Sequence, residues 1–79
     1  VPPAYKARGD VWSLALSPAG DRLAGCWDDR VTVWDAGGAE VREYAGHAAG
    51  VRAVAYHPDG TAVASAGLDG RVIVWHPDT

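Results

Sequence analysis

The chain has 79 residues, of which 48% are hydrophobic and 22% are charged, and its formal net charge is -3 at pH 7. This length predicts one small folded unit, and the acidic balance argues against nucleic-acid or anionic-membrane partners, which require a basic surface. Cys26 is the single cysteine, which excludes an internal disulfide and favours a reducing compartment, here the cytoplasm. The apolar runs are far shorter than the ~20 residues that cross a bilayer.

Short apolar runs separated by turn residues predict strands throughout the chain, because no stretch keeps a helical period. Segments 17–20 and 57–60 carry Pro and Gly at the positions of type I turns, and Asp69-Gly70 is a hairpin signal. The strands are predicted at Val11–Leu16, 23–26, 30–34, Glu40–Tyr44, Val51–Tyr56, 62–66 and Val72–Trp75. Their periodicity assigns the core to Val11, Leu14, Leu16, Val31, Val33, Val51, Val54, Tyr56, Val63, Val72 and Val74.

The second half of the chain repeats the first. Val11, Pro18 and Gly20 recur 40 residues later as Val51, Pro58 and Gly60, and Asp28, Arg30, Val31 and Trp34 recur 41 residues later as Asp69, Arg71, Val72 and Trp75. A four-stranded unit that repeats every ~40–45 residues has the period of a β-propeller blade. A one-residue slip inside a strand turns every later side chain to the other face. A bulge or a shortened turn is therefore predicted between Gly20 and Asp28.

Four segments of the second half carry a resemblance to a known family: Gly46-His47, residues 57–60, residues 64–70 and Val72–Trp75. Their residues and order resemble the WD40 repeat family, which is named for a dipeptide present here as Trp34-Asp35. The resemblance implies an all-β fold of two four-stranded antiparallel propeller blades. Residues 11–44 would form a degenerate first blade, and residues 45–79 a well-matched second blade without its outer strand. Residues 1–10 would hold an outer strand or loop that completes a neighbouring chain's blade.

The resemblance also implies a structural hydrogen-bonded set in the second blade, formed by His47, Ser65, Asp69 and Trp75. Such a set supplies partners for a buried indole N–H and a buried carboxylate, both of which need them. In the first blade, the corresponding Asp28 and Trp34 are present. However, Ala7 stands where the family has His, and Ala24, counted back from Asp28, stands where the family has Ser. The complete polar set is therefore not expected in the first blade.

No enzymatic site is predicted. His47, Ser65 and Asp69 are the residue types of a catalytic triad, but the structural set already uses them. Cys26 has no neighbouring base in the sequence that would activate its thiol, and the three histidines lack the spacing of a metal site. No glycine-rich phosphate-binding motif is present either. We therefore expect no catalytic residue, no metal and no cofactor.

The family binds partners on the propeller rim, at the loops before each inner strand and between the second and third strands. Carried to this chain, the rim positions are Trp12, Trp27, Arg52 and Leu68. Trp and Arg are common among the residues that dominate binding energy, which suits a protein or peptide ligand. The alternative interpretation is structural: Trp12 packs between the blades and Trp27 covers its own hairpin.

A core of this size supplies only ~3–5 kcal/mol, and a pair of blades leaves two apolar faces uncovered. The prediction is therefore a non-enzymatic scaffold whose copies close a β-propeller ring. Two blades per chain permit even blade numbers, with an eight-bladed tetramer favoured and a six-bladed trimer next. The alternative is an interaction module of a larger bacterial WD40 regulatory protein, which binds its partners through the rim.

Overall fold

A computed structural model describes residues 9–77, and the predicted outer strand at residues 1–5 lies outside this range. The described residues form seven strands: β1 Val11–Leu16, β2 Arg22–Trp27, β3 Arg30–Asp35, β4 Glu40–Tyr44, β5 Val51–Tyr56, β6 Val63–Gly67 and β7 Val72–Trp75. The predicted all-β fold is confirmed. No helix within the described range is long and apolar enough to cross a membrane.

The strands form two antiparallel sheets, each following chain order. The first sheet has the order β1-β2-β3-β4, and the second has the order β5-β6-β7. Both sheets begin with the same turn between their first two strands. Gly20 N–H donates to the Ser17 carbonyl and Gly60 N–H donates to the His57 carbonyl, each over 2.9 Å. These glycines have φ of 75° and 77°, a region that favours glycine, so the two turns reverse the chain in the same way.

The one-residue slip of the repeat lies in the second hairpin of each sheet. In the first sheet Trp27 pairs with Arg30, so the turn contains only Asp28 and Asp29. In the second sheet the turn contains residues 68–70, because Gly67 N–H donates to the Arg71 carbonyl. The first sheet therefore has the shorter turn, and both sheets keep the same inward and outward alternation on either side of it.

The core lies between the two sheets. Its buried members are Ala24, Cys26, Val31 and Val33 from the first sheet and Val51, Val54 and Val63 from the second. Five predicted core residues are instead exposed: Val11 (44%), Leu14 (58%), Leu16 (63%), Val72 (70%) and Val74 (56%). Leu14 and Leu16 alternate with residues that face the second sheet, and Val72 and Val74 lie opposite Ala66 and Ala64, away from the first. The prediction that these five are buried was wrong for this chain taken alone.

Candidate functional site

The second sheet contains a hydrogen-bonded group of four side chains, here called the latch: His47, Ser65, Asp69 and Trp75. His47 Nε2 lies 2.8 Å from Ser65 Oγ, and His47 Nδ1 lies 3.1 Å from Asp69 Oδ1. The indole N–H of Trp75 donates to the same Ser65 Oγ over 2.8 Å. The latch joins the loop before β5 to β6, to the hairpin turn and to β7.

One arrangement of protons satisfies the whole latch. Because the Trp75 indole can only donate, Ser65 Oγ accepts from it and uses its own hydrogen toward His47 Nε2. His47 then carries its proton on Nδ1 and donates it to the Asp69 carboxylate. Ser65 is 1% exposed and the His47 side chain is fully buried, so these bonds replace water that neither group can reach.

Two glycines make room for the latch. A Cβ at Gly67 would lie 2.7 Å from His47 Nδ1 and 2.8 Å from Asp69 Oδ1. A Cβ at Gly46 would lie 2.5 Å from the Trp75 ring. Real Cβ atoms do not approach other atoms so closely, so both positions exclude any larger residue. The Gly46-His47 pair of the sequence is thereby explained, because the ring of Trp75 rests where a side chain would begin.

Asp69 is held as a carboxylate. Desolvation by burial raises its pKa, but the backbone N–H of Ala48, the imidazole of His47 and the backbone N–H of Arg71 together lower the pKa from 3.8 to about 2. Ala48 N–H donates to Oδ2 over 3.0 Å, and Arg71 N–H donates to Oδ1 over 3.2 Å. Each of these hydrogen bonds stabilises the charged carboxylate of Asp69 relative to its neutral form. The lowered pKa therefore keeps the Asp69 carboxyl charged in the folded protein well below its usual range.

The order Ser65–His47–Asp69 has the hydrogen-bond pattern of a hydrolase triad, yet the group is closed to a substrate. A nucleophilic serine needs an accessible Oγ, whereas Ser65 is almost completely buried and its Oγ already accepts the Trp75 indole. Among residues 9–77, no group of His, Cys, Asp and Glu side chains is arranged to hold a metal ion. The chemistry that the latch supports is attachment of a loop to a sheet.

The first sheet fills the corresponding space differently. The pairings place Gly25 opposite Leu14 and Ser65 opposite Val54, so Gly25 and not Ala24 is the counterpart of Ser65. The prediction of Ala24 was wrong because it counted back through a turn that is one residue shorter. A Cβ at Gly25 would lie 2.9 Å from the Trp34 ring, so this ring packs directly on the glycine backbone. Trp34 is 2% exposed, and Asp28 lies exposed in the turn.

The sequence interpretation missed a second polar pair in the first sheet. Trp27 is only 7% exposed, and its indole N–H donates to Thr32 Oγ1 over 2.8 Å. Trp27 is therefore not an exposed rim residue, and the alternative in which it covers its hairpin describes its position. The short turn could have indicated this pair, because it brings Trp27 opposite Arg30 and thus near Thr32.

Two of the predicted rim residues occupy equivalent bulges. The pairing of β1 with β2 shifts between Val11 and Ser13, and the pairing of β5 with β6 shifts between Val51 and Ala53. Trp12 and Arg52 are the extra residues, and a bulge redirects the side chain it carries. The Arg52 guanidinium lies 4.2 Å from the Trp12 ring centroid, which is cation–π geometry. Trp12 is 58% exposed, so the pair lies at the surface and not between the sheets.

An open groove of about 570 Å³ lies beside this pair. Its lining residues are Asp10, Trp12, Asp28, Asp29, Ala48, Ala49, Gly50 and Arg52. Both sheets contribute to it, and the backbone N–H of Val51 donates to the Asp28 carbonyl over 2.7 Å across the boundary. The remaining predicted rim residue, Leu68, is 65% exposed in its hairpin turn and is not part of the lining. The structure thus brings together Trp12 and Arg52 and leaves Leu68 apart.

Small antiparallel sheets that follow chain order and pack face to face are the arrangement found in the blades of a β-propeller. The family model for the WD domain, G-beta repeat (WD40), matches residues 4–35 and 38–76. The chain belongs to the WD40 repeat family, as the resemblance predicted.

Several curated proteins are similar to the chain. It is 37% identical over 70 residues to a periodic tryptophan protein 2 homolog of Schizosaccharomyces pombe, covering 86% of this chain and 8% of that protein. It is 41% identical over 54 residues to the small ribosomal subunit protein RACK1y of Oryza sativa subsp. japonica, covering 67% and 16%. A transcription initiation factor TFIID subunit 5 of Caenorhabditis elegans is 38% identical over 69 residues, covering 85% and 11%. The chain thus spans a small fraction of each relative.

A solved structure matches the whole fold. The crystal structure of the computationally designed Ika4 protein superposes with a TM-score of 0.84 at 26% identity, and the match covers 100% of this chain and 49% of the other. The arrangement of two packed sheets is therefore one that a solved protein of about twice the length contains.

Proposed function

We propose that the chain is a non-enzymatic structural unit whose copies close a β-propeller ring. The observation that carries the proposal is the pair of open apolar surfaces. Leu14 and Leu16 of β1 and Val72 and Val74 of β7 are each more than half exposed, on the two sides that face away from the shared core. An apolar sheet face is stable when another layer covers it, and exposed patches of this kind mark association surfaces.

The geometry of a ring limits the number of blades. Each chain supplies two blades, so a closed ring contains an even number of blades, and we favour the eight-bladed tetramer over the six-bladed trimer. The contact between copies is heterologous, which gives a closed ring when the rotation per copy permits it. In this proposal residues 1–10 supply the strand beside β7 of a neighbouring chain. The cytoplasm is the proposed compartment.

The experiment is the mass of the 79-residue chain in solution, measured by light scattering and sedimentation over a concentration series. The expected result is one species with the mass of four chains of 8.3 kDa each, or of three. Denatured chain in guanidinium chloride serves as the mass control for a single copy. A single monodisperse 8.3 kDa species at all concentrations would overturn the proposal.

The second candidate function is binding of a protein or peptide at the rim. The stacked Trp12 and Arg52 in the lining of the open groove favour it, because Trp and Arg are enriched among the few residues that supply most of the binding energy at interfaces. Relatives that are named as a ribosomal protein and as a transcription factor subunit also support a role in assemblies. In this case the chain acts as the interaction module of a larger WD40 regulatory protein.

A random peptide library tests this second function directly. Peptides selected on the wild-type chain should lose binding to a double variant with Trp12→Ala and Arg52→Ala, while the solution mass of that variant stays unchanged. Leu68→Ala is the matched control, because Leu68 is exposed but lies outside the groove. Equal binding by wild type and the double variant would exclude the groove. A change in solution mass would show that Trp12 and Arg52 belong to the contact between copies.

A further inference from the structure

We infer that the two open faces are the two halves of one further junction, and that a second copy of the chain docks head to tail on each of them. The inference rests on the proposed function and specifies which residues meet. It starts from the junction between the two sheets within the chain. There, side chains of Ala15, Ala24, Cys26, Val31 and Val33 from the first sheet pack with Val51, Val54, Tyr56 and Val63 from the second.

Each open face consists of the counterparts of one half of this internal junction. The register gives every side chain a counterpart 40 or 41 residues away. The counterparts of the first half form the small-residue face of the second sheet: Ala55, Ala64, Ala66, Val72 and Val74. The counterparts of the second half form the large-residue face of the first sheet: Val11, Leu14, Leu16 and Leu23. The chain thus presents both halves of a junction, on opposite sides.

Counterpart residues differ in exposure: the member in the internal junction is the more buried, and the member on an open face is the more exposed. Val51 is fully buried and its counterpart Val11 is 44% exposed, while Val54 is 8% exposed and its counterpart Leu14 is 58% exposed. On the other face, Val31 is fully buried whereas its counterpart Val72 is 70% exposed. The residue types are apolar in every case, so the difference in exposure comes from the neighbouring sheet that covers one member of each pair.

The two faces fit each other better than either fits itself. The small-residue face loses volume relative to its internal counterpart, with Ala66 in place of Cys26, while the large-residue face gains volume at Leu14 in place of Val54. Opposite changes keep the total volume near that of the packed internal junction. Two small-residue faces would leave gaps, and two large-residue faces would not interdigitate. The contact is therefore heterologous: the large-residue face of one copy meets the small-residue face of the next, and the copies are joined head to tail.

One internal contact has no counterpart between copies. Ser13 Oγ accepts the Val54 N–H over 3.4 Å, but the counterpart of Ser13 is Ala53, which has no oxygen to offer. The backbone hydrogen bond from Val51 N–H to the Asp28 carbonyl does have a counterpart. In the proposed contact, Val11 N–H of one copy faces the carbonyls of the turn at residues 68–70 of the next. The junction between copies is accordingly the weaker of the two.

The test blocks one face at a time. Leu14→Arg places a charge on the large-residue face, and Val72→Arg places one on the small-residue face; both residues are exposed, so each variant should fold, which circular dichroism checks. Each variant alone is expected to be monomeric where wild type is assembled. An equimolar mixture should form a 1:1 dimer and nothing larger, because exactly one open face of each kind remains usable. Sedimentation velocity measures this up to the highest soluble concentration.

A mixture of Leu14→Arg with Leu16→Arg is the matched control. Both changes block the large-residue face, so this mixture should stay monomeric. A dimer of either variant alone would overturn the inference in favour of like-with-like contact. A monomeric Leu14→Arg and Val72→Arg mixture, beside an assembled wild type, would overturn it while leaving ring formation in place. A monomeric wild type would overturn both.

Discussion

The first three strands of each repeat pair in the same order, but the residue beneath the final tryptophan differs: it is Ser65 in the second repeat and Gly25 in the first. In the second, Trp75 is held by Ser65, which connects it to a buried histidine and a carboxylate. In the first, the Trp34 ring packs on the backbone of Gly25, and the Trp27 indole donates a buried hydrogen bond to Thr32. The position beneath the final tryptophan therefore holds a hydrogen-bonded serine in one blade and bare glycine backbone in the other, and the same strand arrangement accommodates both.

The largest expected effect comes from Trp75→Ala. The indole stacks on Tyr44 of the first sheet, with ring centroids 4.5 Å apart, and donates to Ser65, so the change removes packing and leaves a buried hydroxyl without its donor. We expect the free energy of unfolding to fall by about 3 kcal/mol. Chemical denaturation at fixed chain concentration measures it. Trp12→Ala, at an exposed tryptophan, is the control and should cost about 0.5 kcal/mol or less.

Gly25→Ser tests whether the polar arrangement of the second repeat can be moved into the first. The new Cβ would lie 2.9 Å from the Trp34 ring and 3.1 Å from Leu14, so the ring must shift although the residue is the one found at the counterpart position. The expected loss in the free energy of unfolding is about 2 kcal/mol. Gly37→Ser is the control, because a Cβ at the exposed Gly37 would meet only the Asp35 carboxylate, at an ordinary contact distance of 3.4 Å. Unchanged stability would mean that the ring does not rest on Gly25.

Ser65→Ala removes Oγ, the atom that His47 and Trp75 share in the latch, and leaves the backbone and Cβ in place. Trp75 loses its acceptor and His47 loses its hydroxyl partner in a buried site, and the expected cost is about 1.5 kcal/mol. The control is Ser13→Ala, which removes a single longer bond of 3.4 Å to the Val54 N–H. If both variants unfold at the same denaturant concentration, the latch adds nothing beyond an ordinary serine contact.

Acid should remove the stability that the Asp69 carboxylate contributes to the second repeat. The folded-state pKa of Asp69 is lowered to about 2 from 3.8, so the stability it contributes is fully present above pH 3.8 and is lost as the pH falls toward 2. The melting temperature of Asp69→Asn should therefore lie below that of wild type by a constant difference from pH 7 to about pH 4. The difference should shrink between there and pH 2, as thermal scans would record. If the difference in melting temperature changed between pH 7 and 5 instead, the pH dependence would have to come from a group other than Asp69. Asp28→Asn, at the exposed position of the first repeat, is the control.

The sequence predicted the strands well because turn chemistry and apolar spacing are local properties. Segments 17–20 and 57–60 formed their turns, and the latch of the second repeat follows the order of its residues. The counterpart of Ser65 was missed because a turn shorter by one residue shifts the count without altering the strand pattern. The placement of Trp27 was missed because exposure depends on which neighbour reaches it, here Thr32.

The loop at residues 46–50 and the first residue of β5 together are bonded to both sheets. Its histidine and the N–H of Ala48 bind the Asp69 carboxylate, and the Gly50 carbonyl accepts the Leu68 N–H over 2.8 Å, all within its own sheet. The next residue, Val51, reaches back to Asp28 of the preceding sheet. The loop is therefore tied to its own sheet by the latch and leads directly into the residue that is bonded to the first sheet. In the proposed ring, these two attachments lie at the boundary between two blades, where the angle between the blades is set.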